Sequence, residues 1–542
     1  MTSKTEWWRG GVLYQIYPRS FADSNGDGIG DLPGIEAKLN YVAKLGVDGV
    51  WISPFFKSPM KDMGYDVSDY CDVDPSFGTL QDFDALIAKA HAVGLRVMID
   101  LVLSHTSIEH PWFAQSRKDR SNPKADWYVW VDPQAEGSPP NNWLSIFGGS
   151  AWQWDARRRQ YYMHNFLVEQ PDLNFHNPDV REALLNVAKF WLERGVDGFR
   201  LDTVNFYFHD QQLRPNPPAA LEFREAPDVP AANPYVFQNH LYDKTRPENL
   251  GFLRDLRALL DTYPDKTTVG EVGASERGLD VMGEYTAGGD KLHMCYAFVL
   301  LNEKFGARYI AERLSIYEKT VTEGWGCWAF TNHDVARSIT RWGFADVADL
   351  AAPLLLAMQL SLRGTPCIYE GEELGLPEAV LSYDEIQDPY GKTFWPDFKG
   401  RDGCRTPMPW DSSPGAGFTA GKPWLPIPEA QRVRSVAAQE ADPASTLNRA
   451  RALVHWRRGV PALVRGDMAF HEAPEPVLAL SRKLDGVEVL CVFNLGRMAQ
   501  TYDLTRFGVL APIDGHGFTS RLDGGTLHLP PFAAFFARVG RL

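Results

Sequence analysis

At 542 residues the chain is too long for one ordinary domain and long enough to bury a large core. Its composition, 44% hydrophobic, 12% aromatic and 23% charged, is that of a globular protein, and its formal charge of −14 argues against a nucleic-acid surface and against docking on anionic membranes. Six scattered cysteines (Cys71, Cys295, Cys327, Cys367, Cys404, Cys491) form no CxxC pair and read as buried thiols of a reducing compartment, not as a disulfide framework or zinc site.

Residues 1–11 carry no apolar h-region, and no stretch approaches about 20 apolar residues, so the expected location is the cytoplasm, with no membrane partner. Residues 12–16 read as a first strand, followed by a Gly/Asp-rich loop over 23–31. Pro33 then opens a helix whose apolar stripe is Ile35, Leu39, Val42 and Leu45. Residues 47–52 are a second strand, 80–93 a second helix ending at Gly94, and 95–102 an almost wholly apolar third strand. Strand and helix alternating at this spacing mean parallel βα units.

The rhythm stops between Ser104 and about residue 173, in a segment rich in Trp, Tyr, Pro and Asn that reads as an inserted domain. It resumes with a helix at 179–194, whose apolar residues Val180, Leu184, Val187, Trp191 and Leu192 share one face, and a strand ending at Asp202. A helix at 250–260 leads to strand 267–271, and further strands are expected at 292–297, 326–330 and 365–369. That makes eight, the count of a closed (β/α)8 TIM barrel of α/β class. Two Pro-rich loops, 205–246 and 375–428, follow strands four and eight. Past a last helix near 444–457, residues 477–481, 487–494 and 533–539 alternate like antiparallel strands, so the end of the chain reads as a β-sandwich. The expected division is 1–104 and 174–460 for the barrel, 105–173 for the insertion and 461–542 for the C-terminal β domain.

In such a barrel the active site lies at the carboxyl ends of the strands. Those ends carry Asp66, Asp100, His105, Arg200, Asp202, Glu271, His333 and Asp334. In the fourth strand Arg200 and Asp202 share a face, and a guanidinium that close would keep the carboxylate ionised, as a nucleophile requires; a buried structural ion pair would look the same in isolation. Several carboxylates converging on one mouth are costly unless chemistry needs them, which favours a catalytic site. The loop over 23–31 offers Asp23, Asn25, Asp27 and Asp31 as alternating oxygen donors around glycine turns, the chemistry of a hard-cation site, although a solvated turn has the same composition. It is not a full EF-hand, since position twelve is Gly34.

The motifs DLVLSH (100–105), GFRLD (198–202), EV (271–272) and FTNHD (330–334) resemble those of the α-amylase family, glycoside hydrolase family 13, in its bacterial α-glucosidase and oligo-1,6-glucosidase group. Supporting matches are QPDLN (170–174), MGYD (63–66), GTPCIYEGEE (364–373) and RDGCRTPM (401–408), in the family's order, up to about residue 410. Ser104 departs from the pattern, which has Asn before the His. The resemblance implies a retaining hydrolase with Asp202 as nucleophile, Glu271 as acid and base, and Asp334 gripping the sugar hydroxyls beside the reacting carbon. It implies a glucose pocket completed by Asp66, His105, His333 and Arg401, Arg200 tuning Asp202, and Tyr65 and Phe166 as stacking partners. It also implies a structural Ca2+ or Mg2+ bound by Asp23, Asn25, Asp27, Asp31 and the Ile29 carbonyl, with no organic cofactor.

The expected substrates are short maltose-like oligosaccharides, cut at a terminal α-glucosyl residue. Sucrose isomerase, trehalose synthase-like and oligo-1,6-glucosidase activities are alternatives on the same scaffold, and transfer to another acceptor can compete with water. A catalytically dead binding module would lack the carboxylates, and an extracellular endo-amylase would carry a signal peptide. In the related oligo-1,6-glucosidases the residue after the nucleophile is typically Val; here Thr203 is expected to hydrogen-bond the second sugar and to favour α-1,4 linkages over α-1,6.

Overall fold

The computed structural model describes residues 6–221, 224, 229–273 and 277–540, so the extreme ends of the chain and part of the loop over 205–246 lie outside the described residues. Eight parallel strands form one sheet: β1 (Leu13–Ile16), β2 (Gly49–Ile52), β3 (Arg96–Leu101), β4 (Gly198–Leu201), β5 (Thr267–Val272), β6 (Met294–Ala297), β7 (Cys327–Trp328) and β8 (Thr365–Tyr369). From β1 to β6 each strand pairs with its neighbour in sequence, β7 pairs with β8, and β8 returns to β1. The ring closes between β6 and β7 through a single parallel bridge, Cys295 to Gly326.

Strand alternation divides the core in two. Leu13, Trp51, Met98, Val269, Met294 and Cys327 point inward and form a cluster inside the ring. Tyr14, Val50, Val97, Phe199 and Trp328 point outward, into the larger core beneath the helices. The helices start where the sequence supplies caps. Asp31 caps Leu32–Lys44 by accepting the Gly34 N–H, Thr79 and Asp82 form a reciprocal box on Leu80–Ala92, and Asn177 caps Pro178–Glu193.

Within 105–173 lie a short helix, Pro111–Ser116, and a three-stranded antiparallel sheet in the order Trp130–Val131, Gln160–Met163, Trp152–Asp155. Its own apolar cluster is built on Trp143, Trp152 and Met163. After helix Thr446–Arg458 come a five-stranded and a three-stranded antiparallel sheet. Val477, Leu490 and Val492 of the first meet Tyr502, Leu527 and Leu529 of the second, the packing of a sandwich. Strands Asp467–His471, Gln500–Asp503, Leu510–Pro512, Arg521–Asp523 and Thr526–Leu529 add to the three expected.

Two fully buried arginines join this end to the barrel. Arg457 donates to the carbonyls of Leu360, Gly10 and Leu463, and Arg482 to those of Ser361, Leu463, Gly466 and Asp467. Among the described residues no helix is long and apolar enough to cross a membrane.

Candidate active site

Inward-facing positions at the carboxyl ends of β3 to β6 bring Asp100, Arg200, Glu271 and Tyr296 together, because the parallel register sets Asp100 beside Arg200 and Glu271 beside Tyr296. The Arg200 guanidinium is the hub. Its Nη1 lies 2.9 Å from Asp100 Oδ1 and 2.6 Å from Asp202 Oδ1, while Nη2 lies 2.6 Å from Glu271 Oε2 and donates to the Tyr296 hydroxyl at 2.9 Å. One cation thus ties Asp202 to Glu271, and both carboxyls border a cavity of about 700 Å³.

Burial pushes the Asp202 carboxyl up to about 6, with Arg200 opposing and Asp100 and Asp334 adding to the rise. The Glu271 carboxyl is pushed further, to about 8, again by burial, with Arg200 opposing and the charges of Asp202 and Asp334 adding to the rise. Arg200 therefore does not hold Asp202 low, as its proximity alone suggests; burial dominates. The order that results is still a division of labour: near neutral pH Asp202 is ionised and Glu271 holds its proton.

Asp334 lies in the loop after β7, six residues beyond its last strand residue. Burial would raise its carboxyl, but His333, Arg401 and Arg405 together hold it well below the usual range. Arg405 Nη2 reaches Asp334 Oδ1 at 3.0 Å and Arg401 Nη1 the same oxygen at 3.2 Å. Arg401 also meets Asp62 at 2.8 Å and Asp388 at 2.8 Å, and its guanidinium lies 5.1 Å from the Phe147 ring centre.

Tyr65, His105, Phe166, Thr203 and Arg401 line the same cavity. His333 does not reach its surface; it stacks beneath Tyr65 with ring centres 5.3 Å apart and planes 3° apart. Gln15 Nε2 lies 2.7 Å from His333 Nδ1, which leaves Nε2 to face the Tyr65 hydroxyl at 2.6 Å and Asp334 at 3.2 Å. Burial lowers His333 to about 3 and His105 to about 4, so both rings are neutral at pH 7.

Two expectations are corrected. Asp66 is not a pocket residue: its carboxylate accepts from Ser58 Oγ, Lys61 N and Asp62 N, and so builds the loop from within. The acid that this loop presents to the cavity is Asp62, four residues earlier. The Thr203 hydroxyl cannot donate to a second sugar, because its one proton goes to Asp202 Oδ2 at 3.1 Å; toward a sugar it can only accept, with Ser104 Oγ already 3.3 Å away. Sequence reasoning also missed Asp388, Tyr296, Phe147 and Tyr390; Arg405 lay inside a quoted motif, its role unassigned.

In the loop over 23–31, Asp23 Oδ1 accepts the Asn25 N–H, Asn25 Oδ1 that of Asp27, and Asp27 Oδ1 that of Ile29. Gly28 has φ +93°, and a Cβ there would lie 1.9 Å from the Lys422 carbonyl oxygen, so the turn needs glycine. The donors are all oxygens, which fits a hard cation. Among the described residues no three His, Cys, Asp or Glu side chains converge as a metal cluster; the loop carboxylates accept backbone N–H groups and would have to turn toward an ion.

Residues 15–466 match the family described as "Alpha amylase, catalytic domain". The chain belongs to the α-amylase family. A probable alpha-glucosidase of Rhizobium meliloti is 59% identical to this α-amylase-family protein, over 98% of this chain and 97% of that one. An oligo-1,6-glucosidase of Heyndrickxia coagulans is 36% identical over 92% and 94%. Among solved structures, an alpha-glucosyl transfer enzyme, XgtA, superposes with a TM-score of 0.97 at 56% identity, covering 99% of this chain and 100% of that one. The isomaltulose synthase of Erwinia rhapontici, solved with its natural substrate sucrose, follows at 0.89 and 32%, covering 99% of each.

Proposed function

We propose that the protein is a retaining, exo-acting α-glucosidase. The observation that carries this is the Asp202–Arg200–Glu271 bridge, both of whose carboxyls line one cavity. In the first step an Asp202 oxygen bonds to the anomeric carbon as the glycosidic bond breaks, and the Glu271 proton passes to the departing oxygen. In the second, Glu271, now a carboxylate, takes a proton from water, whose oxygen replaces Asp202 on the carbon. A single guanidinium contacting both carboxyls favours the separation of about 5 Å used by retaining enzymes over the wider spacing of inverting ones. Asp334, held ionised by its arginines, is suited to accept hydrogen bonds from hydroxyls beside the reacting carbon.

The exo action follows from the closed end. Arg401, pinned at the cavity wall by Asp62, Asp388 and Asp334 and covered by Phe147, stands against a chain continuing past the glucose. A second outcome of the same intermediate is transfer, with an acceptor hydroxyl replacing water; the α-glucosyl transfer enzyme among its structural relatives supports it. Incubation with maltose, isomaltose, sucrose and trehalose, with products resolved by chromatography and the first anomer by NMR, tests the reading. Maltose is expected to be cleaved ahead of isomaltose with α-glucose released first. Initial β-glucose, or no cleavage of any of the four sugars, would refute it.

For the loop over 23–31 we propose a structural Ca2+ or Mg2+ held by Asp23, Asn25, Asp27, Asp31 and the Ile29 carbonyl. Such an ion would supply charge that fixes the loop against residues 418–424, where Asp23 accepts from Thr419 and the Gly28 carbonyl from Trp424 N. An ion bound only by the folded state stabilises it by mass action. Chelation is therefore expected to lower Tm by several degrees with little loss of kcat at 25 °C, and Asp27→Ala to remove the chelator effect. A variant that melts like the wild type with and without chelator would sink the assignment.

A further inference from the structure

Thr203, directly after β4, has φ +38°, a left-handed conformation that a β-branched residue keeps only when its surroundings impose it. There its N–H donates to Glu271 Oε2 at 3.0 Å and its hydroxyl to Asp202 Oδ2 at 3.1 Å, so one residue touches both carboxyls. A hydroxyl has one proton and an ionised carboxylate only accepts, so the Thr203 proton is committed to Asp202. Ser104 Oγ, fully buried, lies 3.3 Å from Thr203 Oγ1 and 2.9 Å from His105 Nδ1. It too has one proton, and two neighbours that can take it.

The His105 tautomer decides between them. With the ring proton on Nε2, toward the Tyr65 carbonyl oxygen 3.0 Å away, Ser104 donates to Nδ1 and Thr203 receives nothing. With the ring proton on Nδ1, Ser104 accepts it and donates to Thr203, which becomes the stronger donor to Asp202. Gln170 Nε2, 3.1 Å from His105 Nε2, can donate to that nitrogen only in the second state and so favours it, while the Tyr65 carbonyl favours the first.

We propose that Ser104 is a positioning residue that couples His105 to the nucleophile, through the Thr203 hydroxyl on Asp202 Oδ2. Arg200 holds the other oxygen, Oδ1, at 2.6 Å, so the carboxylate is fixed at both ends. The inference rests on the proposed role of Asp202 and adds a dependence of its reactivity on the His105 tautomer. The other charges that face Asp202 are Arg200, Asp100, Glu271 and Asp334, none of which Ser104 touches.

The test is a double-mutant cycle on maltose, with wild-type turnover as the control that the underlying reading holds. Ser104→Ala is expected to lower kcat about 3–10-fold, with KM within about twofold, the size of one hydrogen bond. It should also raise the acid limb of kcat/KM by about half a pH unit, because the carboxylate has lost support. Thr203→Val should do both, and the double variant should be no worse than Thr203→Val. In Thr203→Ser, which keeps the hydroxyl, Ser104→Ala should have its full effect. Additive losses in the cycle, an unmoved acid limb, or a loss confined to KM overturns the proposal. If Ser104→Ala does not fold, the acid limb of Thr203→Val against Thr203→Ser decides.

Discussion

Asp202→Asn and Glu271→Gln are each expected to lower kcat on maltose by at least about 10³-fold while leaving the thermal transition in place, with the double variant scarcely worse than either. The size follows from what is removed: the first deletes the proposed nucleophile, the second the proposed proton donor to a poor leaving group, and positioned acid–base catalysis alone contributes about 10²–10⁴. The two residues act as one unit, which is why their losses do not add. The pH profile gives an independent reading. Asp202 must be deprotonated to attack, so kcat/KM falls as the pH drops through about 6. Glu271 must be protonated to donate, so it falls again as the pH rises through about 8. Residual activity in Glu271→Gln loses the alkaline limb and keeps the acid one. Wild-type rates in either single variant, or an alkaline limb that survives Glu271→Gln, would falsify the assignment.

Arg401→Ala is expected to destabilise the protein by about 3–5 kcal/mol as well as to abolish tight binding of the terminal sugar. This arginine is the shared counter-ion of Asp62, Asp388 and Asp334, all buried or nearly so. Removing it strands their charges in a low-dielectric site, and that cost exceeds the net worth of the pairs themselves. Asp334, held low by His333, Arg401 and Arg405, loses part of that support, so its carboxyl titrates higher and is less firmly placed for the sugar, while the acid limb set by Asp202 stays near pH 6. Denaturant unfolding and KM on maltose read the two effects separately. A variant with unchanged midpoint and unchanged kcat/KM would show that the closed end of the cavity needs no cation.

The barrel was legible because its strands and helices obey two clean periods. Trp51, Met98 and Val269 face inward as alternation requires, and Ile35, Leu39 and Val42 are buried along one helix face as their spacing requires. The carboxylates that Arg200 ties together were legible for the same reason: a charged residue at the end of an apolar strand has few structural excuses. The rest of the pocket was not. Asp62, Phe147, Asp388 and Tyr390 sit on loops with no period, and only the fold brings them to Arg401. Choosing Asp66 over Asp62 was an error of the same origin, since two acids four residues apart on one turn cannot be told apart until the backbone says which one it consumes. The shorter strands of the C-terminal sheets were missed because three or four residues, half of them exposed, carry too little pattern.

The arginines that join the two ends of the chain have a consequence for how it comes apart. Arg457 and Arg482 are ringed by carbonyl oxygens from residues as distant as Gly10, Leu360 and Gly466, and among the described residues neither has a carboxylate within bonding distance. A buried cation solvated only by the backbone has no fallback: if either side of its cage withdraws, the charge is left in an apolar medium. The barrel and the terminal sandwich are therefore mutually obligate. An excised barrel is not a smaller enzyme, and heat should melt the two parts together, in one cooperative event.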